Sequence, residues 1–124
     1  MRELKNLKVK VDDVVYMPSL DAPASKPHPF VYFISIQNQS KEAVTILGRK
    51  WVVREGEETV VVEGEGVVGQ TPMLGPGQQF SYNSYHVVAE SGEAEGAFFG
   101  VTEGGEAVFV RIPRFVLELP SWVD

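Results

Sequence analysis

The sequence contains no cysteine among its 124 residues. This absence excludes disulfide bonds, thiolate metal ligands, iron–sulfur ligation and a thiol nucleophile. No apolar stretch is long enough to cross a bilayer, and the charged residues 1–5 are not followed by the apolar run of a signal peptide. We therefore expect a cytoplasmic protein with no membrane association.

Positive charge is also scarce. The chain has 11 lysines and arginines against 17 aspartates and glutamates, and its formal net charge is −6. No basic run is longer than Arg49-Lys50, whereas a nucleic-acid-binding surface normally needs a basic stripe that neutralises phosphates. We therefore expect no nucleic-acid partner. The acidic residues gather in segments 55–65 and 90–106, which we interpret as solvated loops.

No segment has a sustained helical period. Runs rich in Val, Ile, Phe and Tyr are separated by Gly, Pro and acidic turns, which is the pattern of β-strands. Without a helix to cover a parallel sheet, about seven to eight strands predict an all-β fold. We expect one domain over residues 1–124, an immunoglobulin- or fibronectin type III-like antiparallel sandwich of two sheets. The predicted strands are 7–16, 30–38, 43–53, 59–63, 79–88, 96–102 and 107–119.

Local signals define several details of this sandwich. Segments 54–58 and 103–106 have the composition of hairpin turns. Pro113 cannot donate to a ladder, so it predicts a bulge or kink on an edge strand. Trp51 is expected in the core. In the strand over 30–38, alternate residues from Phe30 to Ile36 form the core face, which leaves Val31 and Phe33 on the opposite face.

Residues 64–69 form a literal G-x-G-x-x-G pattern. In a dinucleotide site, such glycines precede a helix whose N-terminus holds a pyrophosphate. Two prolines within segment 70–77 forbid that helix, and Glu63 and Glu65 place negative charge beside any phosphate. We interpret the segment as a tight loop that requires positive φ, with an anion-binding loop as the less favoured alternative, and we expect no cofactor. The glycines concerned are Gly64, Gly66 and Gly69.

The only local cluster of possible metal ligands is His86 with the glutamates that follow it in the sequence, Glu90, Glu93 and Glu95. A transition-metal site needs three or four converging ligands. We expect a solvent-exposed histidine and no metal, and keep this cluster as the alternative. Ser84 and His86 share a strand face, but no third group orients the imidazole, so we do not expect an enzyme.

Five motifs in order resemble the ApaG domain family, and the resemblance covers nearly the whole chain. Residues 29–38 resemble its aromatic second strand, and Arg49-Lys50-Trp51 resembles its Arg-x-Trp. The glycine-rich stretch 64–72, the segment 74–82 and the segment 109–120 follow in the family's order. Together these motifs are specific, although each alone is not.

Two places depart from the family's pattern. The segment after Tyr82 lacks the usual small Ser-Gly ending, and Ala94 and Phe98 stand where the family tends to have Met and Tyr. The resemblance implies a fibronectin-like β-sandwich and a bacterial protein genetically linked to cobalt and magnesium tolerance. It also implies a kinship with domains of eukaryotic F-box proteins, where contact between proteins is the supposed role.

The sequence thus favours a non-enzymatic binding module for a protein partner, with a homodimer as one arrangement. Exposed aromatic side chains often anchor interfaces, and an open sandwich edge can accept a partner strand. The alternative is a binder of a small anionic ligand or a divalent cation through the glycine-rich or the acidic loop. The predicted interaction residues are Val31, Phe33, Tyr85, Phe98 and Phe99.

Overall fold

Strands account for all the regular secondary structure in the computed structural model, which describes residues 1–123. Their order follows the apolar runs of the sequence, and short turns and loops connect them. The strands are β1 (Arg2–Glu3), β2 (Leu7–Tyr16), β3 (His28–Asn38), β4 (Val44–Glu55), β5 (Glu58–Glu65), β6 (Met73–Leu74), β7 (Gln79–Val88), β8 (Gly92–Thr102) and β9 (Ala107–Leu117).

The strands form two sheets that pack face to face. The larger sheet is six-stranded, in the order β1-β9-β8-β4-β5, with β6 also paired to β4. The smaller sheet is three-stranded, in the order β2-β3-β7. All pairs are antiparallel except β1 with β9, which is parallel. The predicted two-sheet β-sandwich is therefore confirmed, with two short strands, β1 and β6, that the sequence pattern did not indicate.

The core lies between the sheets and follows the period-two alternation of the strands. In β3, the predicted core face is confirmed, because Phe30, Tyr32, Ile34 and Ile36 are all buried. Trp51 of β4 is also buried, as predicted, and its ring centroid lies 4.8 Å from that of Tyr32. This contact joins the middle strand of the smaller sheet to the larger sheet.

Both predicted hairpins are present. Strands β4 and β5 pair from Glu55 and Glu58 onward, around a turn in which Gly56 has a φ of 55°. Strands β8 and β9 pair around a turn in which Gly105 has a φ of 86°. The prolines of segment 18–27 lie outside the strands, as expected.

The predicted irregularity at Pro113 is also confirmed. The step from Ala94 to Gly96 in β8 corresponds to the longer step from Phe115 to Ile112 in β9, so β9 carries one extra residue. Strand β1 pairs with β9 only at Val108 and Phe109. The missing N–H of Pro113 therefore falls at a bulge, where no ladder bond requires it.

Burial of Trp51 predicts the first experiment. Trp51→Ala should lower the free energy of unfolding by about 3–5 kcal/mol, because it removes a large side chain from the cross-sheet core. Trp122→Ala is the control, since Trp122 is 70% exposed and should cost under about 0.5 kcal/mol. Denaturant unfolding of both variants measures the difference, and equal costs would show that the core is assigned wrongly.

Candidate functional site

The outer face of the larger sheet carries an apolar cavity of about 530 Å³. Its centre is the cross-strand pair of Phe99 in β8 and Phe109 in β9, both half-buried. Val52 of β4 and Ala97 of β8 extend the apolar wall. These side chains point away from the core because their strand neighbours Phe98 and Val110 point into it.

Charged side chains stand around this cavity in pairs of opposite sign. Lys50 lies 3.6 Å from Glu63, Arg111 lies 3.6 Å from Glu3, and Arg54 lies 2.7 Å from Glu95. Each pair is at least partly exposed, so it contributes little to folding stability. The face therefore combines an apolar centre with a charged rim of mixed sign, which is the composition of many protein interfaces.

The predicted interaction residues do not form one surface. Phe98 points into the core and is buried, which corrects its expected place on a surface. Phe99 lies on the outer face of the larger sheet, whereas Val31, Phe33 and Tyr85 lie on the outer face of the smaller sheet. The two outer faces point in opposite directions, so no single partner surface contains the whole set.

Val31 is also less accessible than expected. It is 6% exposed, because it sits on the central strand of its sheet between its cross-strand neighbours Val15 and Tyr85. Phe33 is half-buried, while Tyr85 is 40% exposed and its hydroxyl donates to the Asp21 carbonyl at 3.0 Å. Of the residues predicted for this face, Tyr85 alone is largely accessible.

His86 lies in an aromatic cluster inside the sandwich, which corrects the expected exposed position. Its ring stacks on Tyr32, with 4.7 Å between centroids, and meets the edge of Trp51 at 4.7 Å. Burial lowers the pKa of His86 to about 4, so the imidazole is neutral at pH 7. Burial also raises the pKa of Tyr82, whose ring lies 6.3 Å from that of Tyr32. Within residues 1–123, three buried atoms have no hydrogen-bond partner: Trp51 Nε1, Tyr82 Oη and His86 Nε2.

The alternative metal cluster is not assembled. His86 points into the core, whereas Glu93 and Glu95 alternate with the buried Ala94 and so point away from it. Glu93 and Glu95 form ion pairs with Arg54 instead. In the part of the chain that the structure describes, no three histidine, aspartate or glutamate side chains converge as metal ligands. Ser84 is likewise not hydrogen-bonded to His86 there.

The glycine-rich segment is a tight loop. Gly66 and Gly69 have φ values of 65° and 79°, whereas Gly64 belongs to β5 and has no positive φ. Val67 is buried in the core, and its N–H donates to the Gln70 carbonyl at 2.7 Å. A Cβ atom on Gly66 would lie 2.4 Å from that same oxygen.

The hydrogen bonds of this loop leave little for an anion. The Gly66 N–H donates to the Leu47 carbonyl at 2.7 Å. The nearest guanidinium, that of Arg49, donates to the carbonyls of Glu65 and Gly66 at 2.9 and 3.0 Å. The Arg49 guanidinium, which would have to bind a phosphate, is therefore already hydrogen-bonded to carbonyl oxygens. The element next to the loop is strand β5 and not the helix that a phosphate site needs.

Neither acidic segment is the solvated loop that was predicted, since most of segment 90–106 is strand β8. Most of segment 55–65 is strand β5. Its first member, Glu55, is buried and accepts a hydrogen bond from the Ala89 N–H at 2.8 Å. Lys26 donates to Glu55 at 3.1 Å and contacts Glu58 at 3.2 Å, which attaches the segment 17–27 to the β4–β5 hairpin. Sequence analysis missed this pair, since Lys26 and Glu55 lie far apart in the chain.

Phe109 was not predicted as an interaction residue either, although the sequence contains a signal for its position. Phe99 and Phe109 are equidistant from Gly104 in the predicted hairpin turn, so hairpin register alone pairs them. The fold that results is that of an immunoglobulin- and fibronectin type III-like β-sandwich, here with an apolar outer face. Among the described residues, no helix is long and apolar enough to span a membrane.

The chain belongs to the ApaG domain family, whose model, described as "ApaG domain", matches residues 18–102. Protein ApaG of Aromatoleum aromaticum is 32% identical over 97% of this chain and 97% of that protein. Protein ApaG of Acidithiobacillus ferrooxidans is 38% identical over 82% of each chain. The crystal structure of a Bordetella pertussis protein described as ApaA superposes with a TM-score of 0.82, at 32% identity over 93% of this chain and 94% of that one.

The strained loop predicts unequal effects of two glycine substitutions. Gly66→Ala should lower the free energy of unfolding by at least about 2 kcal/mol, because it adds a clash with backbone to the cost of positive φ. Gly69→Ala should cost about 1 kcal/mol, since nothing lies within 4 Å of its added Cβ atom. Denaturant unfolding and calorimetric titration with ATP and NAD test this. Saturable nucleotide binding that Gly66→Ala abolishes at unchanged stability would contradict the structural role.

The lowered pKa of His86 predicts a pH dependence of the folding stability. Between the ordinary pKa of 6.5 and the native value of about 4, the unfolded chain binds a proton that the folded chain does not. The contribution of His86 to the free energy of unfolding is therefore fully present above pH 6.5. It is lost as the pH falls toward 4, by up to about 1.4 kcal/mol per pH unit. His86→Phe keeps an aromatic ring against Tyr32 and should flatten this slope. Urea unfolding at pH 7, 6 and 5 measures both slopes, and parallel slopes would contradict the assignment.

Proposed function

We propose that this chain is a non-enzymatic module that binds another protein through the outer face of its larger sheet. The observation that carries the proposal is the apolar cavity around Phe99 and Phe109, with charged pairs at its rim. Aromatic residues in a partly desolvated pocket are the usual energetic centre of a protein interface. The cavity, of about 530 Å³, has room for a large side chain of the partner.

The rim indicates what the partner surface contains. Lys50 and Arg111 alternate in space with Glu63 and Glu95 on this face. A partner with one aromatic or aliphatic anchor and charges of both signs around it would fit this arrangement. Its charged groups would mainly set orientation and association rate, while the anchor would supply most of the affinity.

The positions of the titratable side chains support a role without catalysis. His86 is half-buried, its ring lies in the aromatic cluster and lines the lateral cavity between β5 and β7, and its buried Nε2 atom has no hydrogen-bond partner among residues 1–123. The hydroxyl side chain of Ser84, two residues before it, lies opposite Tyr32 in the β3–β7 ladder. Neither side chain lines the outer-face cavity. That cavity therefore offers an apolar surface for packing and contains neither of these two candidate catalytic groups.

Family membership supports the proposed process. The resemblance to bacterial ApaG proteins linked to cobalt and magnesium tolerance leads us to propose that the partner acts in the same process, in the cytoplasm. Direct binding of either cation is not part of the proposal, because the acidic side chains of β8 are engaged with Arg54.

The test replaces the two central aromatics by a residue that keeps strand propensity. A photo-crosslinking residue in place of Arg111 would capture the partner from a lysate of the source cell, and the purified partner would then be titrated calorimetrically. Phe99→Thr with Phe109→Thr should weaken its binding at least tenfold, because the anchor pocket is lost. The folded state of each variant is checked by thermal unfolding.

The matched control is the pair Phe33→Thr with Tyr85→Thr on the opposite outer face. This variant should bind the purified partner as tightly as the parent chain does. If the control loses binding and the Phe99 and Phe109 variant retains it, the smaller sheet carries the interface and the proposal is wrong. Capture of a second copy of this chain alone would replace the proposal by a homodimer.

A further inference from the structure

The sandwich is closed along one lateral side and open along the other. Strand β2 of the smaller sheet contacts β9 of the larger sheet on the closed side. On the other side, β5 and β7 stand at the edges of their sheets and flank a cavity of about 400 Å³. Its walls include Val60 and Val62 of β5 and Val87 of β7. Lys26 and other residues of the segment 17–27 close one end of it.

Strand β5 is paired along one side only. The order of the larger sheet ends at β5, and its register with β4 runs from Glu58 to Glu65. Within residues 1–123, no further strand pairs with its outer side. Two adjacent residues at its centre, Val61 and Val62, are 52% and 41% exposed. A free edge with exposed valines is a ready template for another strand.

The other edges carry features that discourage pairing. Strand β2 has a register shift between Val11 and Asp13, and β9 has its bulge at Pro113. The segment 17–27 lies beside β7, because the Tyr85 hydroxyl donates to the Asp21 carbonyl at 3.0 Å. Natural sheets use bulges, prolines and covering loops to block unwanted strands. The central part of β5 has none of these, which sets it apart from the other edges.

The charge at this edge selects among strands. Four glutamates stand in or beside β5, and two lysines neutralise part of their charge: Lys26 lies 3.2 Å from Glu58, and Lys50 lies 3.6 Å from Glu63. A second copy of β5 would bring the same glutamates together, and like charges across a strand pair are destabilising. A strand with lysine or arginine gains opposite-charge pairs instead. The glutamates are Glu57, Glu58, Glu63 and Glu65.

We propose that the free edge of β5 accepts an extended, cationic segment of another protein as an added antiparallel or parallel strand. The alternation of β5 defines the pattern of that segment. Val60 and Val62 face the cavity, whereas Val61 and Glu63 face outward. The segment therefore places apolar side chains over the cavity at every second position, with lysine or arginine between them opposite Glu63 and Glu65.

This inference concerns the edge of β5, which adjoins the outer face that carries the cavity around Phe99 and shares only Glu63 with its rim, and it does not depend on the proposed function. In strand addition, backbone hydrogen bonds supply affinity, and pockets for alternate side chains supply specificity. The cavity beside Val62 is such a pocket, since it opens where the inward side chains of an added strand would lie. The acidic edge then distinguishes cationic segments from other extended ones.

The probe is a seven-residue peptide of alternating lysine and valine, acetylated and amidated. Calorimetry and hydrogen exchange of the ¹⁵N-labelled protein measure its binding. We expect saturable binding, slower exchange of amides within residues 59–64, and an affinity at least fivefold above that of a peptide with its lysines and valines in separate blocks. The affinity should fall as salt increases.

Substitutions in the protein locate the site. Val62→Lys blocks the mouth of the cavity and adds positive charge to the edge, so it should abolish binding. Glu63→Gln with Glu65→Gln should weaken binding several-fold, because both outward pairing charges are removed. The matched control, Glu103→Gln with Glu118→Gln, removes the same charge from exposed positions elsewhere and should bind as the parent does. The variant Phe99→Thr with Phe109→Thr should also bind normally.

Three outcomes would overturn the proposal. The first is protection of amides in β7 or elsewhere instead of residues 59–64. The second is equal binding of the alternating and the block peptide, or equal losses in the two glutamate variants, which would mean non-specific attraction to an acidic protein. The third is protection of residues 59–64 that rises with protein concentration without peptide, which would make a second copy the occupant.

Discussion

The contact between Trp51 and Tyr32 is the interaction on which the rest of the structure depends. It links β4, near the middle of the larger sheet, to the central strand of the smaller one, with 4.8 Å between the ring centroids. Phe115 of β9 joins the same cluster, at 5.8 Å from Trp51. Two sheets that share no hydrogen-bonded strand are held in one relative position chiefly by such interdigitated side chains.

That cluster also explains where the accessible surfaces lie. Because Trp51 points inward, the alternation of β4 places Lys50 and Val52 on the outside, beside Ala97 and Phe99 of the next strand. Val62 of β5 pairs with Trp51 and therefore points to the same side of the sheet. At that position the smaller sheet no longer covers the side chain, so Val62 stays exposed. The apolar outer face and the open lateral cavity are thus consequences of one orientation of one strand.

The fold was largely predictable from the sequence, and the surfaces were less so. Strands such as Leu7–Tyr16 and Gln79–Val88 are bounded by prolines and glycines and carry period-two apolar patterns, which act locally. The burial of Val31 depends on Val15 and Tyr85, which reach it only through strand pairing. The cluster around His86 likewise needs residues from several strands. Contacts between residues distant in sequence leave no periodic signal, so the face of Val31 was predicted correctly but its low exposure was not, and His86 was wrongly predicted to be exposed.

The attachment of Lys26 to the buried Glu55 constrains how this sequence can change. Substitution of Lys26 leaves the Glu55 carboxylate inside the protein without its cation, whereas substitution of Glu55 still leaves Lys26 paired with Glu58. Replacing both by apolar residues of similar volume avoids that penalty. We therefore expect related chains that lack the lysine at position 26 to lack the glutamate at position 55 as well, so that chains with the glutamate alone are rare.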